Sequence, residues 1–293
     1  MISGILNVLK VPGMTSQDVV NVIRGIYKTK KVGHGGTLDP EAAGVLPVFI
    51  GDATKLLEYV LEDKKCYRAE ATLGMETDTG DDTGKVISTM PVPNITADIL
   101  TPVLQKFLGQ QTQIPPMYSA IKIKGKKLYQ YAREGKEIAR EPRTIFIHEL
   151  SLVNLEADKF TLNIVCSKGT YIRTLLEDIS KALQTCATMS FLLRVQVGPY
   201  KLSDASTLEE IAAAPVEKLL ALETAVAHIT RLNVNSLQAY RITCGVKTTV
   251  IGSGDGIRTL YCQEYFLGIV EVNQDRVQAL KIIAKPDFKP EGH

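Results

Sequence analysis

The sequence predicts a chain of mixed helices and strands that closes on a small β-rich domain. Three observations carry this. Residues 66–73 and 159–166 alternate apolar and polar, the period of half-buried strands. Apolar residues recur at helical spacing after PGMTS and after SKGT. Beyond about residue 230 the texture changes to short strand-like runs set apart by Gly, Asp and Asn. The 293 residues suffice for one large domain or two unequal ones, and 45% apolar with 23% charged residues is a globular mix.

Taken in order, residues 3–9 read as a strand and PGMTS (12–16) as a turn, with Ser16 the expected N-cap of a helix carrying Val19, Val22, Ile23 and Ile26. That helix ends in KTKK, where basic residues suit a C-terminus. The glycine-rich VGHGGTLDP follows. In the strand 66–73, Tyr67, Ala69, Ala71 and Leu73 share one face. An acidic turn and a linker with Pro91 and Pro93 lead to a helix near 96–108. The stretch 110–145 reads as irregular and basic, with Tyr118, Tyr129 and Tyr131. In 159–166, Phe160, Leu162, Ile164 and Cys166 point inward. The next helix carries Ile172, Leu175, Leu176, Ile179 and Leu183, with Thr170 as expected N-cap. Residues 207–227 read as helical. The runs TTVIG, RTLYC, YFLGIVEV and VQALKIIA then form the terminal domain, giving expected units of 1–229 and 230–293.

Composition excludes several classes. No apolar run approaches 18 residues, so no transmembrane helix is expected. MISGILNVLK has no basic segment ahead of its apolar run and does not read as a signal peptide, so the cytoplasm is the expected location. Five cysteines without a CxxC fit neither a disulfide framework nor a zinc site, and four scattered histidines include no HExxH. No metal or cofactor is expected. Net charge is only +2, but its distribution is uneven. Residues 117–147 hold eight Lys/Arg against three acids, which fits a face that meets a polyanion. A solvated charged surface would look the same by charge alone.

Four features carry chemistry. In GHGGTLDPEAAG, small residues crowd Asp39. One reading makes Asp39 an N-cap with Pro40 at the first helical position. The other places a carboxylate at the floor of a cleft. The segment is neither GxGxxG nor a P-loop, which argues against an enzyme that cradles a small-molecule phosphate there. In SKGTYIRTLLEDI, Arg173 falls in the first turn of a helix, where a cation opposes the helix dipole; a buried carboxylate is its natural partner. Tyr67 on an apolar strand face would ordinarily be a core residue. The tyrosines and lysines of IPPMYSAIKIKGKKLYQYAREG suit phosphate contact with base stacking.

Five ordered segments, KVPGMTS (10–16), GHGGTLDPEAAGVLPVFIGDATK (33–55), KCYRAEATLGMETDTGDDTG (65–84), PPMYSAIKIKGKKLYQYAREG (115–135) and SKGTYIRTLLEDI (167–179), resemble the TruB family of tRNA pseudouridine synthases. The resemblance implies an α+β pseudouridine synthase fold: a large mixed, mostly antiparallel sheet with a central cleft, plus a small C-terminal β-rich PUA-like RNA-binding domain. It implies Asp39, Tyr67 and Arg173 as catalytic residues and His34, Lys10, Leu192 and Tyr118 as substrate-binding residues. Asp39 is the expected catalytic carboxylate, Arg173 its partner and Tyr67 the ring beneath the uracil. Leu192 packs beside the base and His34 fills the space it leaves. The implied substrate is the T-arm stem-loop of tRNA, modified at uridine 55 after base flipping, by a monomer without cofactor. A non-catalytic RNA-binding protein or tRNA chaperone would use the same basic segments without Asp39.

Overall fold

The computed structural model describes residues 2–61 and 64–284. Strand β1 (Gly4–Lys10) leads into helix α1 (Ser16–Tyr27), then β2 (Val32–His34), β3 (Ala43–Ile50) and the short α2 (Leu57–Leu61). Strand β4 (Lys65–Leu73) is followed by the hairpin β5 (Met75–Thr77) and β6 (Val86–Thr89), helix α3 (Ala97–Lys106) and strand β7 (Gly109–Gln113). A second hairpin, β8 (Lys122–Ile123) and β9 (Lys126–Lys127), runs into α4 (Leu128–Arg133). Strands β10 (Arg143–Leu155) and β11 (Lys159–Cys166) precede helix α5 (Ile172–Ala182) and strands β12 (Ala187–Val197) and β13 (Tyr200–Lys201). Helix α6 (Leu208–Ala213), strand β14 (Arg231–Val234), helix α7 (Ser236–Thr243), and strands β15 (Thr248–Thr249), β16 (Gly256–Cys262), β17 (Tyr265–Asn273) and β18 (Arg276–Ile282) complete the chain. Among the described residues no helix is long and apolar enough to cross a membrane.

The fold is α+β. The main sheet runs β1-β3-β12-β4-β11-β10-β7, with β2 on β3 and β13 on β12. Its pairings are antiparallel except β3 with β12. A second sheet, β14-β16-β17-β18-β15, forms the terminal region.

The alternation expected in β4 and β11 is observed: Tyr67, Ala69, Ala71 and Leu73 pack with Phe160, Leu162 and Ile164 in one core under α3 and α5. Strand β3 was invisible to alternation because both its faces are buried. Val45 and Phe49 face a core shared with the terminal sheet, while Leu46, Val48 and Ile50 face α1. Pro47 is tolerated in this inner strand because it lies between the residues that pair β12 (Ala43, Gly44) and those that pair β2 (Val48–Ile50).

Several local expectations need correction. Thr15, not Ser16, caps α1: its hydroxyl accepts from the Asp18 amide at 3.1 Å, and the Asp18 carboxylate accepts from the Thr15 amide at 2.9 Å. Thr170 does not cap α5; Tyr171 holds that position, and the Thr170 hydroxyl donates to the Ser167 carbonyl instead. No helix starts at Asp39, since Pro40–Ala42 turn directly into β3. The helix expected over 207–227 shortens to α6 and a 3-10 turn at Leu222–Ala225, because Pro215 follows α6 and ends it. The stretch 110–145, expected to be irregular, contributes β7 to the sheet and folds β8, β9 and α4 locally.

Candidate active site

A cleft of about 810 Å³ opens across the main sheet. His34 at the end of β2, Asp39 in the loop to β3, Tyr67 on β4, Tyr118 before β8, Arg173 on α5, and Leu192 and Arg194 on β12 all line it. Six of the seven residues proposed from the sequence therefore meet in one place, although they span positions 34 to 192.

Asp39 and Arg173 form its charged centre. Arg173 is 5% exposed and meets the carboxylate side-on: Nε lies 3.0 Å from Oδ2, and Nη2 donates to Oδ1 at 3.2 Å. The rest of the fork is occupied by backbone. Nη1 donates to the Thr79 carbonyl at 2.7 Å and Nη2 to the Tyr118 carbonyl at 2.9 Å. The guanidinium thus ties the acidic turn after β5 and the segment before β8 to the Asp39 loop. Tyr118 contributes its carbonyl to this tie as well as lining the cleft.

The Asp39 side chain is 32% exposed toward the cleft. Burial nonetheless pushes its carboxyl above the usual carboxylate range, with Arg173 opposing the shift and Asp81 adding to it. The ion pair alone would lower that value; here desolvation is the larger effect. Tyr67 is buried with its phenol pushed up by desolvation, a shift that the Arg194 charge opposes. His34 is held below its ordinary value by burial and by Arg194, which favours its neutral form.

Lys10 is the exception among the seven. It does not line the cleft. It is 1% exposed behind the Asp39 loop, where Nζ donates to the carbonyls of Val11 (3.0 Å), Pro40 (2.8 Å) and Ala42 (2.6 Å). Burial lowers its pKa to about 8. Ser16 holds the same loop from the other side: its hydroxyl accepts from the Leu38 amide at 2.9 Å and donates to the Leu38 carbonyl at 3.2 Å.

Sequence reasoning missed Ser16 in this role, and it missed Arg194. A serine next to a capping threonine gives no signal of its own. Arg194 lies on a strand whose alternation is broken by register shifts at Met189/Phe191 and Arg194/Gln196, so its face was not legible. Among the described residues no group of His, Cys, Asp and Glu is placed to hold a metal ion.

The model for the TruB family pseudouridylate synthase N-terminal domain matches residues 24–172, and that for the tRNA pseudouridylate synthase B C-terminal domain matches residues 173–230. The chain is 52% identical over 217 residues to the tRNA pseudouridine synthase B of Caldanaerobacter subterraneus subsp. tengcongensis, covering 74% of this chain and 76% of that one. It is 48% identical over 245 residues to the protein of the same name from Alkaliphilus oremlandii, covering 83% and 82%. Its fold is similar to the solved structure of an H/ACA RNP bound to a substrate RNA containing 2'-deoxyuridine, with a TM-score of 0.77 at 23% identity over 98% of this chain and 87% of that one. The sheet, the cleft and these matches agree: this chain belongs to the TruB family of pseudouridylate synthases.

Proposed function

We propose that this protein is a tRNA pseudouridine synthase that isomerises uridine 55 of the T loop, with Asp39 as its catalytic carboxylate. The observation that carries this is the Asp39–Arg173 pair on the cleft floor, in a chain whose curated relatives are named tRNA pseudouridine synthase B. A carboxylate gripped side-on by a buried arginine is fixed in direction while its face toward the cleft stays open.

The reaction breaks the bond between ribose C1′ and uracil N1, turns the base, and joins C1′ to C5. The C5 proton is then lost to a base and the freed N1 takes up a proton, so the product is an isomer of the substrate. Asp39 acts either as nucleophile on sugar or base, or as the base that removes a ribose proton. The cleft volume of about 810 Å³ suits a nucleotide turned out of its stack. Tyr67 on β4 and Leu192 on the neighbouring β12 flank the base, with Tyr67 beneath it and placed to assist loss of the C5 proton. His34 fills the space the base leaves. The hairpin β8–β9 and α4 bring Lys126 over Tyr131 and both Lys127 and Arg133 over Tyr129, an array suited to phosphates and stacked bases. The terminal unit 230–293 adds a second RNA-binding surface. The protein works as a monomer in the cytoplasm, without a cofactor.

The test incubates wild type and Asp39→Ala with an unmodified T-arm stem-loop transcript and maps pseudouridine by chemical labelling and primer extension. The expected result is modification of the T-loop uridine by wild type only. Tight RNA binding with no modification by wild type would replace the synthase with a non-catalytic RNA-binding protein.

A further inference from the structure

We propose that Arg194 is a positioning residue that fixes Tyr67 and the Asp39 loop against each other, so that both groups address one base. The inference rests on the synthase reading above and extends it to a residue outside the catalytic pair.

Arg194 is 1% exposed and among the largest fully buried side chains of the molecule. A buried guanidinium is costly unless its donors are used. Here they are spent on the loop that carries Asp39. Nη2 donates to the Gly36 carbonyl at 3.0 Å, Nη1 to the Thr37 carbonyl at 3.3 Å, and Nε to the Val45 carbonyl at 2.8 Å. These acceptors stand before and after Asp39, so one rigid fork grips both ends of the loop. A planar fork with fixed donor directions does this where a lysine's single nitrogen does not reach all three.

The same side chain faces Tyr67. Residues 194 and 67 are direct partners across the antiparallel pair β12–β4, so their side chains leave the same face at close range. Both side chains line the cleft, and the guanidinium charge opposes the effect of burial on the Tyr67 phenol. The backbone of Arg194 is fixed too. Gly44 has φ +116°, and a Cβ there would lie 2.2 Å from the Arg194 carbonyl oxygen, so β3 and β12 touch at this point without a side chain between them. The contact sets the height of Arg194, and Arg194 sets the two catalytic elements.

The test uses full-length Arg194→Gln, Arg194→Lys, Tyr67→Phe and the double variant Arg194→Gln/Tyr67→Phe. Single-turnover pseudouridine formation, stem-loop affinity by anisotropy, and melting temperature are measured for each. Arg194→Gln is expected to lose about 100-fold or more in rate while its Kd stays within about threefold, since misplacement rather than lost contact is the defect. Arg194→Lys keeps the charge and recovers part of the rate. The double variant is expected to lose less than the product of the two single losses, because both act on one group. A wild-type rate in Arg194→Gln, a loss located wholly in Kd, or multiplicative losses in the double variant would each overturn the proposal. If Arg194→Gln melts below the assay temperature, Arg194→Lys carries the test, and a folded Lys variant with wild-type rate overturns it. Wild type that forms no pseudouridine in the same assay overturns the synthase reading instead.

Discussion

At Asp39 two effects of opposite sign meet. Burial raises the pKa of its carboxyl, and the Arg173 cation pulls it back. A carboxylate that reacts in its ionised form gives activity that rises with pH through that pKa, so the acid limb of the rate profile reports it. Removing the cation removes the lowering effect. Arg173→Gln is therefore expected to move the acid limb to higher pH and to slow the plateau by about 100-fold or more, measured as single-turnover rate against pH. An unmoved limb would separate Arg173 from the ionisation. Lys10 makes the opposite limb. Its pKa is lowered to about 8, so above that pH the ammonium loses a proton and with it a donor to the carbonyls of Val11, Pro40 and Ala42. Activity is expected to fall as pH rises through about 8. Lys10→Met should be slow throughout and lack this alkaline fall. That Arg173 has a carboxylate partner was legible in the sequence, because a cation in a helix's first turn calls for one, and the TruB resemblance implied Asp39 as that partner. The net direction of the carboxyl's pKa was not legible, because it depends on how much water the fold removes.

Among the elements, the start of α1 separates stability from function in two adjacent residues. Thr15 closes a capping box with Asp18, whereas Ser16 points away from the cap to the Leu38 backbone beside Asp39. Thr15→Ala is expected to cost about 1 kcal/mol in urea unfolding and leave turnover within about twofold. Ser16→Ala should cost a comparable ~1 kcal/mol but slow turnover, because the Asp39 loop loses two anchors. If the two variants exchange these phenotypes, the assignment of cap and anchor is reversed. The sequence showed where this helix begins but not which hydroxyl caps it, since both residue types suit the position. The same limit explains other elements. β4 and β11 were legible because each has one buried face. β3 was hidden by burial on both faces and β12 by its register shifts. The long helix expected after 207 reflected good helix formers that Pro215 interrupts.

Across the whole molecule, the terminal sheet is joined to the main one by a shared core. Phe266 and Ile269 of β17 pack with Ile5, Val45 and Phe49. Ile269 is fully buried, so Ile269→Ala is expected to destabilise by about 2–4 kcal/mol, and the effect should appear in the unfolding of the main sheet as well. Two separate transitions, with the first-melting one alone shifted, would show that the sheets unfold independently. The sequence by itself determined the family through its ordered motifs and the half-buried strands and amphipathic helices through their periods. These are local facts, written in residue type and spacing. Only the tertiary structure decided that Lys10 lies behind the catalytic loop, that Ser16 and Arg194 brace it, and that burial outweighs the ion pair at Asp39. The physical reason is that each depends on residues far apart in the chain, such as Arg194 with Gly36 or Arg173 with Asp39. Their contacts arise only when the strands are in register and water has been excluded between them.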